Sequence, residues 1–543
     1  MRVARHVFKK LRFKAIATKG IKRMSQAKRH NILFIQTDQM TAFALNQYGN
    51  PIVKTPNLDK LAAQGVVFKN AYCNNPICAS SRFSMMSGQL SSRVGAYDNA
   101  AEFPAQVPTF AHYLVDLGYK TCLSGKMHFV GPDQLHGFQE RVTTDIYPSD
   151  FGWTPDWLVE GHQLPPSGMS MRSVVEAGVS ERSMQIDYDE EACYQAEVKL
   201  WEYARSADKS PFLLAVSFTH PHNPFTTQSR YWDMYDHSKI NMPSVASIPL
   251  EQRDPWSQRY YYLIRNDEHI VTEDDIRNAR HAYYGMVSYM DDMVGRLMNV
   301  LEESGLIKNT LVVFTADHGE MLGERGMWYK FNPYEWSVRI PLIISSPGGL
   351  QGHKADELVS LVDMLPTFAD IASGETKFKP IDPLDGKSLL PILHGKPLES
   401  PNEVSIEFTA EGTFAPALIL RRDNIKYVYC ETDPPMMFDL DKDKGELKNL
   451  CLDKSHANKA HEMENEILKR WDPVQLKKDI IASQQRRHFV QRVLVKGNCK
   501  PWDFQPTFDA SKQYLRTGNS PTAVKGLARY PFVSPKKPDT PRQ

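Results

Sequence analysis

The chain has 543 residues, 41% of them hydrophobic and 24% charged, with 65 Lys/Arg against 64 Asp/Glu. That length holds two or more cores of about 100 to 200 residues, and no apolar run approaches the roughly 18 residues of a membrane span, which excludes an integral helical membrane protein. Nine of the basic residues lie within residues 1–23, which hold no acid, leaving 56 basic against 64 acidic residues elsewhere; a mildly acidic body argues against nucleic-acid binding.

Residues 1–29 read as a basic leader without fold of their own. They lack the apolar stretch of a secretory signal, and Met24 ahead of "SQAKRHNILF" marks them as an upstream extension. Beyond them, short apolar runs alternate with helical patterns. Asn31–Thr37, Tyr119–Ser124, Pro211–Phe218, Thr310–Thr315 and Ile340–Ser345 predict buried strands. "TPNLDKLAAQG" predicts a helix with Asn57 as N-cap and Gly65 as stop, and the segment from Glu273 to Gly305 a long amphipathic helix. This alternation predicts an α/β fold over residues 30–375, a large mixed or parallel sheet sandwiched by helices.

After a Gly-, Pro- and Lys-rich stretch, "EVSIEF", "APALILRRD", "IKYVYC" and "PMMFDLDKD" predict strands and "HANKAHEMENEILKRW" a helix. They form a smaller C-terminal α+β unit at 376–480. Residues 481–543 mix aromatics with turn residues and are expected to pack, as a tail, on the catalytic domain or a neighbouring subunit. The seven cysteines (Cys73, Cys78, Cys122, Cys193, Cys430, Cys451, Cys499) are odd in number and widely spaced, which argues against a disulfide framework or a zinc site and fits a reducing, cytoplasmic location.

In open α/β sheets, ligands bind beyond the carboxyl ends of the strands. That rule collects Asp38 and Gln39 after the first strand and Asp317 and His318 after Thr310–Thr315, an oxygen-rich candidate metal site; either pair alone also fits a turn or a helix cap. It further collects Lys126 and His128 from "SGKMHF", and His220 and His222 from "FTHPHNPF". Cationic and proton-donating groups around a metal are what an anionic group in transfer requires, although each alone also reads as a structural or solvated residue.

With "NILFIQTDQ", the Cys78…Arg82 segment, "SGKMHFVGPDQLHGF", "TTDIYPSDFGWTPDW", "SFTHPHNPF", "VVFTADHGEMLGERGMWYK", "MFDLDKDKGELKNL" and "WDFQP" in this order, the chain resembles the sulfatases of the alkaline-phosphatase-like superfamily, and within them the choline-sulfatase branch. The resemblance implies an alkaline-phosphatase-like fold and hydrolysis of choline sulfate to choline and inorganic sulfate. It implies that Cys78 is oxidised by a maturation enzyme to Cα-formylglycine, the nucleophile, with Arg82 holding it in place. The family's signal reads Cys-x-Pro-x-Arg or Cys-x-Ala-x-Arg, whereas this chain has Ser80 at the third position.

By the same resemblance Asp38, Gln39, Cys78, Asp317 and His318 surround one divalent metal, calcium first and manganese as the alternative. Gln39 and His318 stand where many sulfatases have Asp and Asn. Lys126, His128, His222 and Lys330 match positions that bind sulfate oxygens or protonate the leaving alkoxide, with His128 and His222 unranked as general acid. Trp153, Asn99 and Glu407 are the expected choline-binding residues, an aromatic face and a carboxylate being suited to a quaternary ammonium. A homo-oligomer, dimer or tetramer, is implied, with a tail that reaches a neighbour's site; Ser511–Tyr530 holds no acid, so Asp503 and Asp509 are the tail's candidate carboxylates. Two other readings stay open: a hydrolase of another alkyl or aryl sulfate or of phosphonate or phosphate esters, and a catalytically weak binder of choline or its ester.

Overall fold

The computed structural model describes residues 29–159, 167–374, 378–496 and 502. The basic leader up to residue 28, Cys499 and the tail with Asp503 and Asp509 lie outside the described residues.

In chain order the strands of the first part are β1 (Asn31–Thr37), β2 (Val66–Tyr72), β3 (Lys120–Gly125), β4 (Glu140–Arg141), β5 (Gly178–Val179), β6 (Phe212–Ser217), β7 (Thr226–Thr227), β8 (Thr310–Ala316), β9 (Arg339–Ile340), β10 (Leu342–Ser345) and β11 (His353–Ser360). All but β5 and β7, which pair with each other, make a nine-stranded sheet in the order β11-β2-β10-β8-β1-β6-β3-β4, with β9 beside β2. β1 and β8 are buried at every position, as expected of central strands covered on both faces. One covering layer is visible in the contacts of Phe34 on β1 with Phe110 and Phe368 from two helices, ring centroids 6.2 and 5.7 Å away.

Register fixes what the carboxyl edge presents. β1 runs parallel to β8 with Thr37 opposite Ala316, and parallel to β6 with Gln36 opposite Ser217. β3 runs parallel to β6 with Gly125 opposite Ser217. Asp38, Asp317 and Lys126 therefore leave the sheet at one level. Gly125 is required there, because a Cβ would lie 1.9 Å from the Ser217 carbonyl oxygen.

The sheet is mixed because β10 is antiparallel to both β8 and β2. The expected single strand Ile340–Ser345 is broken at Pro341, which has no N–H for a ladder, and its first part belongs to β9. β2 and β11 carry little strand signal in the sequence. β2 has Lys69 and Asn70 in mid-strand, and β11, an edge strand, exposes four of its first five positions at least partly.

The helix Pro56–Ala63 has Thr55, not Asn57, at its N-cap position, without a side-chain capping hydrogen bond, and Pro56 in its first turn. Asn57 instead donates its backbone N–H and its side-chain amide to Asp291 Oδ2, at 3.0 and 2.9 Å, tying this helix to the long one. The long helix Glu273–Glu303 begins in a capping box of Thr272 and Asp275 and is followed by Gly305 at φ 71.

The second part is an antiparallel sheet of β12 (Glu403–Phe408), β13 (Ala417–Arg422), β14 (Ile425–Cys430) and β15 (Asp433–Asp439), with helices Ala457–Arg470 and Pro473–Leu494. The last helix runs unbroken through residue 480, the boundary expected for this unit. It is fastened to the larger part by Arg487, whose Nη1 and Nη2 donate to Asp98 Oδ1 and Oδ2 at 2.6 and 2.7 Å with both side chains buried. Among the described residues no helix is long and apolar enough to cross a membrane.

Removing one partner of a buried ion pair strands the other charge, so Asp98→Ala should lower unfolding stability by about 3 to 5 kcal/mol in a denaturant titration. An unchanged midpoint would show that this pair does not hold the terminal helix.

Candidate active site

The helix Cys78–Ser87 is buried at all ten positions and starts on Cys78 after an extended Ile77. Its unbonded first-turn amides and dipole favour negative charge at Cys78. The Ala79 N–H is taken by Asn99 Oδ1 at 3.0 Å. Four residues on, one turn later, Arg82 shares the face of Cys78. Arg82 is fully buried and its donors are all met. Nε reaches Asp317 Oδ2 at 2.8 Å, Nη2 reaches Asp38 Oδ2 at 3.1 Å, and Nη1 reaches Gln36 Oε1, the Lys126 carbonyl and Ser217 Oγ at 3.1, 2.8 and 2.7 Å. Ser81 Oγ donates to the Asp317 carbonyl at 2.6 Å. Ser80 is buried, with no partner for its hydroxyl among the described residues.

Asp38, Cys78, Asp317 and His318 bring one donor atom each within 4.8 Å of one another. Cys78 Sγ lies 3.2 Å from His318 Nε2 and 3.8 Å from Asp38 Oδ1. His318 Nδ1 lies 3.1 Å from the Gly319 carbonyl, to which only an N–H can donate, so the Nε2 lone pair faces the cluster. Burial lowers the pKa of this imidazole, which keeps it neutral. Two carboxylates, a neutral imidazole and a sulfur at this spacing fit a divalent cation. Gly319 is needed because a Cβ would lie 2.0 Å from the Trp336 carbonyl oxygen. Gln39 sits beside the cluster at φ 62, its N–H on Asp317 Oδ1 at 3.0 Å.

Around these lie the cations. Lys126, fully buried, is hydrogen-bonded to Asp38 Oδ2 and stands 4.2 Å from the Tyr147 ring centre. Burial would raise the Asp38 pKa, but the charges of Lys126 and Arg82 hold it well below the usual carboxylate range. Lys330 donates to Gln39 Oε1 at 2.5 Å and to His222 Nε2 at 2.8 Å. It is held between Tyr329 and Phe331, both left-handed at φ 65 and 70, a strain of the kind found at functional sites. Burial and the Lys330 charge push the His222 pKa well down, so the ring is neutral, with Nδ1 on the Asn223 carbonyl at 2.7 Å. His128, buried and left-handed at φ 60, has no hydrogen-bond partner on either ring nitrogen among the described residues. Its backbone N–H is held by Asp145 Oδ2 at 2.8 Å. His220 instead pairs with Asp189 at 2.6 Å.

Trp153 and Tyr147 wall this site, their rings 5.3 Å apart and 5.9 and 5.3 Å from His128. Glu407 is a correction. Its carboxylate is engaged inside the fold, with Oε2 on the Ser92 N–H at 2.8 Å and Oε1 on Trp471 Nε1 at 2.6 Å and on Ser92 Oγ, which directs it to Ser92 and Trp471 rather than to the Trp153 wall. Asn99 is turned to the helix through its Oδ1.

Tyr147, Glu320 and Glu411 are not among the residues expected from the sequence. Glu411 is buried, its Oε2 has no partner among the described residues, and burial pushes it up to about 7 against the lowering pull of Lys330. It is within reach of the strand-end rule, since it follows the end of β12 at Phe408, whereas Glu407 lies inside that strand.

The Sulfatase family model matches residues 30–374. The C-terminal model of N-sulphoglucosamine sulphohydrolase matches 323–472 and that of choline sulfatase 478–530. A choline-sulfatase of Rhizobium meliloti is 40% identical over 92% of this chain and 98% of its own length. An arylsulfatase of Clostridium perfringens is 27% identical over 81% of this chain and 94% of its own. A phosphonate monoester hydrolase of Agrobacterium radiobacter superposes with a TM-score of 0.66 at 25% identity, over 81% of this chain and 95% of that one.

Asp317→Ala removes one donor of the cluster and the Nε partner of Arg82. Equilibrium dialysis against calcium or manganese is expected to find no ion retained; full retention would take Asp317 out of the metal site.

Proposed function

The chain belongs to the sulfatase family, and from that premise we propose that it hydrolyses choline sulfate to choline and inorganic sulfate. The observation that carries this choice is the likeness to the Rhizobium meliloti choline-sulfatase over nearly the whole length of both chains. The chemistry of the site's side chains agrees with it. Arg82, Lys126 and Lys330 offer positive charge to an anionic ester, while Trp153, Tyr147 and Glu411 offer aromatic faces and a carboxylate to a quaternary ammonium.

Asp38, Gln39, Cys78, Asp317 and His318 would hold a divalent ion, calcium or manganese, which supplies Lewis-acid charge for the sulfate oxygens. Matured to formylglycine as in this family, Cys78 would supply an attacking oxygen as the aldehyde hydrate, with a second hydroxyl for regeneration. The chain's own residues do the rest. Arg82 locks Asp38, Asp317 and the helix of Cys78 in one geometry, so the nucleophile position is set before substrate arrives. Lys126 and Lys330 stand ready to share the charge of the transferring group. His128 is our assignment for the acid that protonates the departing choline oxygen, because its ring nitrogens are unoccupied whereas His222 Nε2 accepts from Lys330. In the balanced reaction the oxygen of water ends on sulfate, one of its protons on the choline oxygen and the other in solution.

The reading extends to a maturation enzyme acting on Cys78, a homo-oligomer in which the tail reaches a neighbouring site, and a catalytic domain over 30–375. A cytoplasmic location is supported by the free state of the six cysteines among the described residues. A second reading, hydrolysis of another sulfate or of a phosphonate monoester, rests on the likeness to the Agrobacterium enzyme.

Mass spectrometry of the Cys78 peptide from protein made in its own host is expected to find the formylglycine mass despite Ser80. An unmodified thiol in every molecule would favour a binding protein or direct thiolate chemistry.

Trp153→Ala should raise KM for choline sulfate by on the order of tenfold, and leave KM for an uncharged aryl sulfate nearly unchanged. Equal effects would remove Trp153 from choline binding. Glu411 must ionise to face a cation, and its raised pKa leaves it protonated below about 7. KM for choline sulfate should therefore fall as pH rises through about 7, and Glu411→Gln should abolish that dependence. A parent KM independent of pH across this range would contradict the assignment.

A further inference from the structure

Gln39 stands where a carboxylate would need no help. A carboxylate offers two equivalent oxygens, whereas an amide offers one oxygen and one NH2 of nearly the same shape, and a metal takes only the oxygen. Both sides of the Gln39 amide are specified in this structure. Nε2 donates to Glu320 Oε2 at 2.5 Å and to Asn223 Oδ1 at 3.3 Å, while Oε1 faces the Lys330 ammonium at 2.5 Å. Turning the amide over would set two acceptors against its oxygen and a cation against its NH2.

Glu320 is itself anchored. Its Oε1 accepts the backbone N–H of Leu322 at 3.0 Å and of Tyr329 at 2.6 Å. Leu322 and Tyr329 are left-handed, at φ 48 and 65, within the loop that delivers Lys330. In its ionised form Glu320, with Oε1 committed to two N–H groups, turns Oε2 to receive from Gln39. Asn223 Nδ2 in turn donates to Ser173 Oγ at 3.2 Å, a hydroxyl that serves either orientation of the Asn223 amide.

We propose that Glu320 is a positioning residue that selects the metal-binding face of the Gln39 amide, through the contact of its Oε2 with Gln39 Nε2. The inference rests on the reading of Gln39 as a metal ligand. One substitution tests the logic sharply. In Glu320→Gln the two backbone N–H groups still demand an oxygen, so the new NH2 points at Gln39 and turns its amide over. The swap Gln39→Glu with Glu320→Gln restores the match, because the carboxylate introduced at position 39 accepts from that NH2 with one oxygen and keeps the other for the ion. The Ser173 hydroxyl lets Asn223 follow.

Calcium and manganese chloride are titrated by calorimetry into the parent protein, Glu320→Gln, Gln39→Glu and the double variant. Glu320→Gln is expected to bind about 10- to 100-fold more weakly, and the double variant to bind more tightly than either single variant, a coupling that a merely structural role for Glu320 would not produce. Parent-like binding by Glu320→Gln, or a double variant that does not bind more tightly than both single variants, overturns the proposal while leaving the metal site intact. A parent that binds neither ion removes the metal reading and this inference with it. Should Glu320→Gln fail to fold, the double variant is still expected to fold and bind, and its failure counts against the proposal.

Discussion

A guanidinium shut away from water needs an acceptor for each donor, and the fold is arranged to supply them to Arg82. Asp38 comes from the end of β1, Asp317 from the end of β8, Ser217 from the end of β6, and the Lys126 carbonyl from the turn after β3. These are four neighbouring parallel strands whose register ends at one level. The charge of Arg82 therefore pins the carboxyl edge of the sheet to the helix that begins at Cys78. The same two carboxylates face the thiol and the imidazole of the cation cluster. Removing Arg82 would leave both buried carboxylates without their shared cation, a cost of several kcal/mol.

Buried charge also explains how the site handles an anion. Arg82, Lys126 and Lys330 outnumber Asp38 and Asp317 before any metal is counted, and all five are screened from solvent. In such surroundings each charge acts at full strength on what enters. The geometry is held by main-chain conformations that L residues seldom adopt: Gln39, His128, Leu322, Tyr329 and Phe331 are left-handed. Each costs about 1 to 3 kcal/mol, offset by the sheet and helices around them. Strain concentrated on the residues nearest the reacting centre is the cost of fixing them in advance.

Much of this is readable from residue types because two periodicities and one topological rule cover it. Central strands such as β1 and β8 announce themselves as unbroken apolar runs, and polar residues after them fall at the ligand edge. The rule brings Asp38, Lys126 and Asp317 to one place. Extended to the smaller sheet, it favours Glu411, beyond the end of β12, over the expected Glu407, which lies inside that strand. Pairings between distant segments stay hidden for a different reason. Nothing local in "TPNLDK" tells that Asn57 lies inside the helix and is engaged by Asp291. Nothing local in "DIYPSD" tells that Tyr147 lies over Lys126. β11, an edge strand with polar residues at five of its eight positions, has no periodic signal to give.

On the proposed function the cavity pairs an oxyanion site with a site for a quaternary ammonium. The most direct measurement is kcat/KM of the metal-loaded, matured protein on choline sulfate and on its neutral isostere, in which carbon replaces the ammonium nitrogen. Trp153, Tyr147 and Glu411 acting on the cation should give choline sulfate an advantage of about tenfold or more, since a desolvated cation–π contact contributes roughly 2 kcal/mol. Equal values for the two esters, or faster turnover of a phosphonate monoester, would contradict it.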